Sequence, residues 1–214
     1  MWSVVVPVKD LMHAKSRLLV GAHRPKLALA FAQDTVAALS RSRDVGVVFV
    51  VTEDRTVRET LSSPNVCFLD DPKMGLNQSI TESISTVRSL GFGEKVAVVV
   101  ADLPALRPDD FSAASAIAAN FHFSFVADQD GRGTTALFFS DSMAGQPRFG
   151  PNSSRAHTLA GSVELDMQGI DGIRRDVDEV EHLEATCELG LGDHTRAALQ
   201  GIPDIALKPS RTFA

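Results

Sequence analysis

KVAVVVADLPAL, residues 95–106, decides the fold class. Lys95 is followed by an unbroken apolar run to Ala101, the strongest strand signal in the chain. A strand that is apolar on both sides, rather than alternately apolar and polar, belongs in a sheet covered on both faces, the usual setting of parallel strands. The run stops at Asp102, and Pro104 then forces a turn. Ligands of such sheets sit beyond the carboxyl ends of the strands. A carboxylate at that position is a natural Mg²⁺ ligand. Its bland alternative is an Asp that caps a turn.

The same alternation of strand and helix extends outward from this segment. Strands are expected over residues 4–8, 45–52, 66–69, 95–101, 124–127 and 135–139. Helical patterns fall at 25–42, 57–61, 77–90 and 109–119, with Asp109 near the start of the last. Residues 163–178 mix short strands and turns, 180–189 read as a final helix, and the tail after Gly201 reads as irregular. Strand–helix alternation over the first two-thirds predicts an α/β fold: a mostly parallel central sheet with helices on both faces. The length of 214 residues and the lack of internal repeats or a clear linker predict one domain over 1–214.

Composition narrows the function classes. The formal net charge is −6, from 21 basic and 27 acidic residues, which argues against a nucleic-acid coat. The chain has no tyrosine and one tryptophan, Trp2, so no stacking platform for single strands is expected. Small anionic ligands stay open, because a local group of cations can hold a phosphate in an acidic protein. No apolar run approaches the ~20 residues of a membrane helix, and no signal peptide is read at the N-terminus. Cys67 and Cys187 lack metal-like spacing and read as reduced thiols of a cytoplasmic protein.

The residues after each predicted strand carry the chemistry. After the first come Lys9, Lys15 and Arg17, in a loop without glycine until Gly21. They form either a solvated basic loop or an anion clamp, since a triphosphate needs fixed positive charge around it. In RRDVDEVEHL, Asp176 and Asp178 stand two apart and would share one face of extended chain, converging with Asp102 on one cation. The alternative is acids at the entry of the helix at 180, favourable to its dipole. DGRGTTAL, 130–137, and RFGPNSSRAH, 148–157, offer Thr134, Gly150 and Ser153, either as ligands of a phosphate or carboxylate or as a hairpin turn and a surface loop. In GLNQSI, 75–80, Asn77 is either a helix cap or a neighbour of a nucleotide base. His157 is tempting as a general base, but a lone histidine is more often packing, and no nucleophile is assigned.

Together these stretches resemble a known family: the guanylyltransferases acting on 2-phospho-L-lactate or phosphoenolpyruvate in the biosynthesis of the deazaflavin coenzyme F(420). The resemblance rests on VPVKDLMHAKSRL, DDPKMGLNQSI, VVVADLPAL, FVADQDGRGTTAL, RFGPNSSRAH and RRDVDEVEHL, in the family's order across residues 4–183. The lysine-rich first loop is the most specific of them, because related sugar and molybdopterin nucleotidyltransferases carry a glycine-rich signature there. Ala101, Asn152, Glu179 and Val180 depart from residues common in the family.

The resemblance implies a Rossmann-like nucleotidyltransferase (GT-A-like) fold, with GTP and Mg²⁺ as nucleotide and cofactor and pyrophosphate as product. It implies that Lys15 and Arg17, with Lys9, face the triphosphate and that Asn77 lies by the guanine. Asp102 and Asp176 would hold the metal, with Asp178 as third ligand. Thr134, Gly150 and Ser153 would bind the phosphorylated acid, and Lys15, Arg17 and Asp102 would carry catalysis. The acceptor is phosphoenolpyruvate, 2-phospho-L-lactate or 3-phosphoglycerate, and the Ala- and Arg-rich composition, as in actinobacterial members, leans to the first. A labile product implies a downstream transferase as partner; no nucleic acid or membrane is expected. The rival readings are a molybdopterin or sugar-phosphate nucleotidyltransferase, and a non-catalytic nucleotide-binding protein of the same fold.

Overall fold

The computed structural model describes residues 1–12, 18, 21–141, 145–200 and 202. Seven strands form one sheet in the order β3-β2-β1-β4-β6-β5-β7. They are β1 (Trp2–Pro7), β2 (Val45–Val51), β3 (Val66–Leu69), β4 (Val96–Val99), β5 (Phe123–Ala127), β6 (Thr134–Phe139) and β7 (Val163–Glu164). β1 runs parallel to β2 and β4, and β2 parallel to β3. β6 runs antiparallel to both β4 and β5. The predicted mostly parallel sheet is therefore present, with β6 as the reversed strand.

The strands alternate their side chains between two cores. Val4, Val6, Val48, Val50, Ala97 and Val99 point to one face. There they meet α1 (Arg24–Arg41), α2 (Arg55–Thr60) and α4 (Pro108–Ala118) through Ala32, Val36, Val57, Phe111 and Ala114. Val5, Phe49, Val51, Val96, Val98 and Leu137 point to the other, against Ile80, Ile84 and Val87 of α3 (Leu76–Ser89). This is why the strand runs are apolar without alternation: a period of two meets a core on both sides. A third cluster joins Leu27 and Phe31 of α1 to Leu183 of α6 (Val180–Cys187) and to Ala198 and Leu199 of α7 (Asp193–Leu199).

Three sequence expectations need correction. The helix at 180 is not the last, because α7 follows it. Its two first-turn N–H groups, those of His194 and Thr195, donate to the buried carboxylate of Asp34 in α1, at 3.1 and 2.8 Å. A cap from 160 residues away leaves no local capping signal. The stretch 148–157, for which a surface loop is the alternative to a ligand site, contains the start of α5 (Ser153–Leu159). Its buried face is Ser153, Ser154 and His157, so it lacks apolar periodicity. Asn77 is not a cap: α3 is entered from Gly75, whose φ of 88° favours glycine, and Asn77 lies in the first turn. The expected irregular tail lies outside the described residues apart from Ile202. Both cysteines are free thiols, Cys67 exposed on β3 and Cys187 half-buried at the end of α6.

Candidate active site

The carboxyl end of β4 fixes the first functional side chain. Beyond Val99 the chain turns through Asp102 to Pro104, and buried Thr35 of α1 receives the N–H of Leu103 at 3.1 Å. The carbonyl of Asp102 then accepts the N–H of Val177 at 3.1 Å. That bond lays the 176–178 segment against the turn, with Val177 fully buried and its two acidic neighbours turned the other way. Arg174 ties the same segment to the end of β5, donating to the carbonyls of Ala127 (3.4 Å) and Asp128 (3.1 Å). As a result Asp102, Asp176 and Asp178, each half-buried, offer carboxylate oxygens that all lie within 4.8 Å of one another. An octahedral Mg²⁺ shell spans about 4.2 Å from ligand to opposite ligand and takes hard oxygen donors. The donor set suits a divalent cation in its chemistry, and the 4.8 Å limit on its spacing is slightly wider than that shell.

Lys9 is exposed just past the end of β1, where the N–H of Val8 still bonds Val51 at 2.9 Å. The loop beyond it is pinned by Leu11, whose N–H donates to Asp54, the residue that also caps α2. Lys15 and Arg17 lie outside the described residues.

The β5–β6 hairpin and α5 carry the other expected site residues, Thr134 and Ser153. Asp128 closes the hairpin by accepting from the N–H groups of Arg132 (2.8 Å) and Gly133 (2.6 Å). A Cβ on residue 133 would collide with that carboxylate and displace it from the two N–H groups. Thr134 opens β6, and its hydroxyl lies 2.9 Å from Nδ1 of His157. The N–H of Ser154 reaches back to the carbonyl of Arg132 at 3.1 Å, joining α5 to the hairpin. Ser153 is buried at the helix start, and its N–H donates to the carbonyl of Gly150 at 3.1 Å. Gly150 has a φ of 136° and Asn152 one of 57°, values that suit a glycine and an asparagine.

Asn77 clamps the loop that carries Gly150. Its side-chain amide donates to the carbonyl of Phe149 at 2.9 Å, and its side-chain oxygen accepts from the N–H of Phe149 at 2.7 Å. His157 holds the neighbouring residue, accepting the N–H of Arg148 at Nε2 (2.9 Å). The ring is fully buried among Phe123, Phe125 and Phe149. That burial, with the Arg148 charge second, pushes its pKa down to about 4. Nε2 is taken by the N–H of Arg148 and Nδ1 by Thr134, so His157 has no lone pair free to act as a general base.

The structure thus gathers Asp102, Asp176 and Asp178 into one cluster. Separately, it joins the segments bearing Thr134, Gly150, Ser153 and Asn77 by direct hydrogen bonds. Sequence reasoning missed Asp128, Arg174 and the Val177 bond. For Asp128 a local signal exists, since an Asp at a strand end followed by DGRG is turn chemistry. Arg174 and Val177 act through main-chain groups distant in sequence, and nothing local marks them.

The mostly parallel seven-stranded sheet is of the nucleotidyltransferase-like type of α/β fold. A nucleotidyl transferase from Methanothermobacter thermautotroptrophicus shares the fold with a TM-score of 0.57 at 21% identity, over 86% of this chain and 94% of that one. The family model described as "Guanylyl transferase CofC like" matches residues 2–212, and the chain belongs to that family. It is 42% identical over 205 residues to the phosphoenolpyruvate guanylyltransferase of Streptomyces scabiei, covering 92% of this chain and 95% of the relative. It is 41% identical over 205 residues to that of Thermomonospora curvata, covering 94% and 90%.

Proposed function

We propose that this guanylyl transferase joins the phosphate of phosphoenolpyruvate to the α-phosphorus of GTP and releases pyrophosphate, in the biosynthesis of coenzyme F(420). The observation that carries the reading is the three-carboxylate cluster assembled by the bond between Val177 and Asp102. Relatives at about 40% identity that bear the phosphoenolpyruvate name support the choice of acceptor.

The chemistry needs no base, because the attacking phosphate is already an anion. This agrees with a His157 whose two ring nitrogens are already engaged and with the lack of an assigned nucleophile. The obstacle is repulsion between two polyanions. A divalent cation, Mg²⁺ in this proposal, when held by Asp102, Asp176 and Asp178, neutralises charge between them. Lys9, Lys15 and Arg17 take the triphosphate and the departing pyrophosphate. Thr134, Gly150 and Ser153 hold the acid in line, a positioning effect of roughly 7–11 kcal/mol in ideal cases. Asn77 lies by the guanine, and its clamp on Phe149 holds the neighbouring Gly150 loop of the acid subsite. The product passes to a downstream transferase in the cytoplasm; among the described residues no helix is long and apolar enough to cross a membrane.

The test is pyrophosphate release with GTP and Mg²⁺, offering phosphoenolpyruvate, 2-phospho-L-lactate and 3-phosphoglycerate in parallel, with the downstream transferase present. Release with phosphoenolpyruvate alone is the expected outcome. Release with another acid only would replace the acceptor.

A further inference from the structure

Resting on the reading that Thr134 touches the acid substrate, we infer that His157 is a positioning residue: as a neutral Nδ1–H imidazole it turns the Thr134 hydroxyl into a donor aimed at that acid.

The argument is proton bookkeeping around one ring. Nε2 receives the main-chain N–H of Arg148 at 2.9 Å. A main-chain N–H can only donate, so Nε2 carries no proton. In a neutral imidazole the proton then sits on Nδ1. Nδ1 lies 2.9 Å from Oγ1 of Thr134, with the main chain of Ser153 as a second neighbour of the ring, so a proton on Nδ1 bars the threonine hydroxyl from donating to it. The hydroxyl's own hydrogen is thereby turned away from the ring. Were the ring an imidazolium, an Nε2–H would face the N–H of Arg148; the geometry excludes that form by itself. Burial among three phenylalanines stops the ring from flipping to another partner.

A free threonine hydroxyl can donate or accept. Facing a phosphate or carboxylate, only donation is useful, and each such bond to a charged group is strong. His157 removes the wrong choice before the substrate arrives. The same ring holds Arg148, next to Phe149 and the Gly150 loop, so one side chain sets two walls of the acid subsite. This role differs from acid–base catalysis, because no proton leaves the ring.

The experiment has two readouts on the full chain. The first is NMR of ¹⁵N-histidine protein, with and without phosphoenolpyruvate. His157 should show a protonated Nδ1 and a bare Nε2. It should keep them as pH falls through the ordinary histidine value of 6.5, and its Nδ1 signal should shift when the acid binds. An Nε2–H tautomer, a ring that charges near that pH, or no response to the acid overturns the inference.

The second readout is kinetic. His157→Asn keeps a donor near Nδ1, whereas His157→Gln keeps a group near Nε2 and leaves Thr134 without its donor. His157→Gln should raise KM for the acid about tenfold, with KM for GTP unchanged and the Asn variant milder. Thr134→Val should cost a similar factor, and the double variant little more than either alone. Equal losses in the two His157 variants, or KM for both substrates rising together, would overturn the inference. A wild-type chain that binds the acid and shifts the Nδ1 signal but turns nothing over would instead count against the functional reading, leaving the positioning role supported.

Discussion

The main-chain N–H of Val177 donates to the main-chain carbonyl of Asp102 at 3.1 Å, and this one bond draws together carboxylates 74 and 76 residues apart in sequence (176 − 102 and 178 − 102). Neither partner uses its side chain. Val177 is buried in the cluster that also holds Leu183 and Phe31, so the core of α1 and α6 fixes the height of the acids above the sheet. Packing energy is thus converted into a charge constellation.

Replacing Asp102 by Asn keeps size and most contacts while removing one negative charge from the cluster. Turnover is expected to fall by about 10²–10³-fold, the scale of losing one charge-stabilising group. Thermal unfolding should change by only a few degrees. Steady-state pyrophosphate release and a melting curve on the same sample check both.

Mg²⁺ should raise the melting temperature of the wild-type chain without nucleotide, since an ion bound to the folded state alone stabilises it by mass action. The shift should vanish in Asp102→Asn and shrink in Asp178→Asn. An equal Mg²⁺ shift in all three proteins would mean that the cluster does not hold the ion.

His157 gives stability a definite pH dependence. Its folded pKa, about 4, lies below the ordinary 6.5. Between these values the unfolded chain takes up a proton and the folded chain does not, so stability is lost as pH falls through that window. One proton corresponds to a slope of about 1.4 kcal/mol per pH unit. Urea unfolding across the window should show a steeper acid-side loss for wild type than for His157→Gln.

Gly133→Ala puts a methyl group into the carboxylate of Asp128, which caps the hairpin. The expected loss is about 1–3 kcal/mol of stability, the usual cost of overpacking. KM for the acid should rise too, because Thr134 is the next residue. Chemical denaturation and substrate titration read the two effects.

Asp34→Ala removes the distant cap of α7, with an expected cost of about 0.5–2 kcal/mol. The carboxylate holds the N–H groups of His194 and Thr195, and among the described residues it bonds none of the proposed substrate or metal ligands. The melting temperature should drop while KM for GTP and for the acid stay near wild type.

Much of the fold was legible in residue order. Unbroken apolar runs at 45–52 and 95–101 specify strands buried on both faces, and the structure places them as the interior strands β2 and β4, with β4 at the centre of the sheet. The rule that ligands gather past strand ends then singles out Lys9 and Asp102 before any coordinates are known. The spacing of Asp176 and Asp178 puts them on one side of an extended chain, because side chains alternate with a period of two. Such signals are local: they depend on neighbours within a few residues, and the sequence by itself determines them.

Tertiary structure decided what passes between distant segments. α7 is capped by Asp34 and α5 buries a polar face, so neither carries the local pattern that marks a helix. Asn77 looks like a cap or a base contact until the loop bearing Phe149 folds over it. His157 is an unremarkable histidine until burial makes it neutral and the N–H of Arg148 fixes its proton. Hydrogen-bond direction and desolvation depend on which groups meet in space, and a linear order of residues does not contain that.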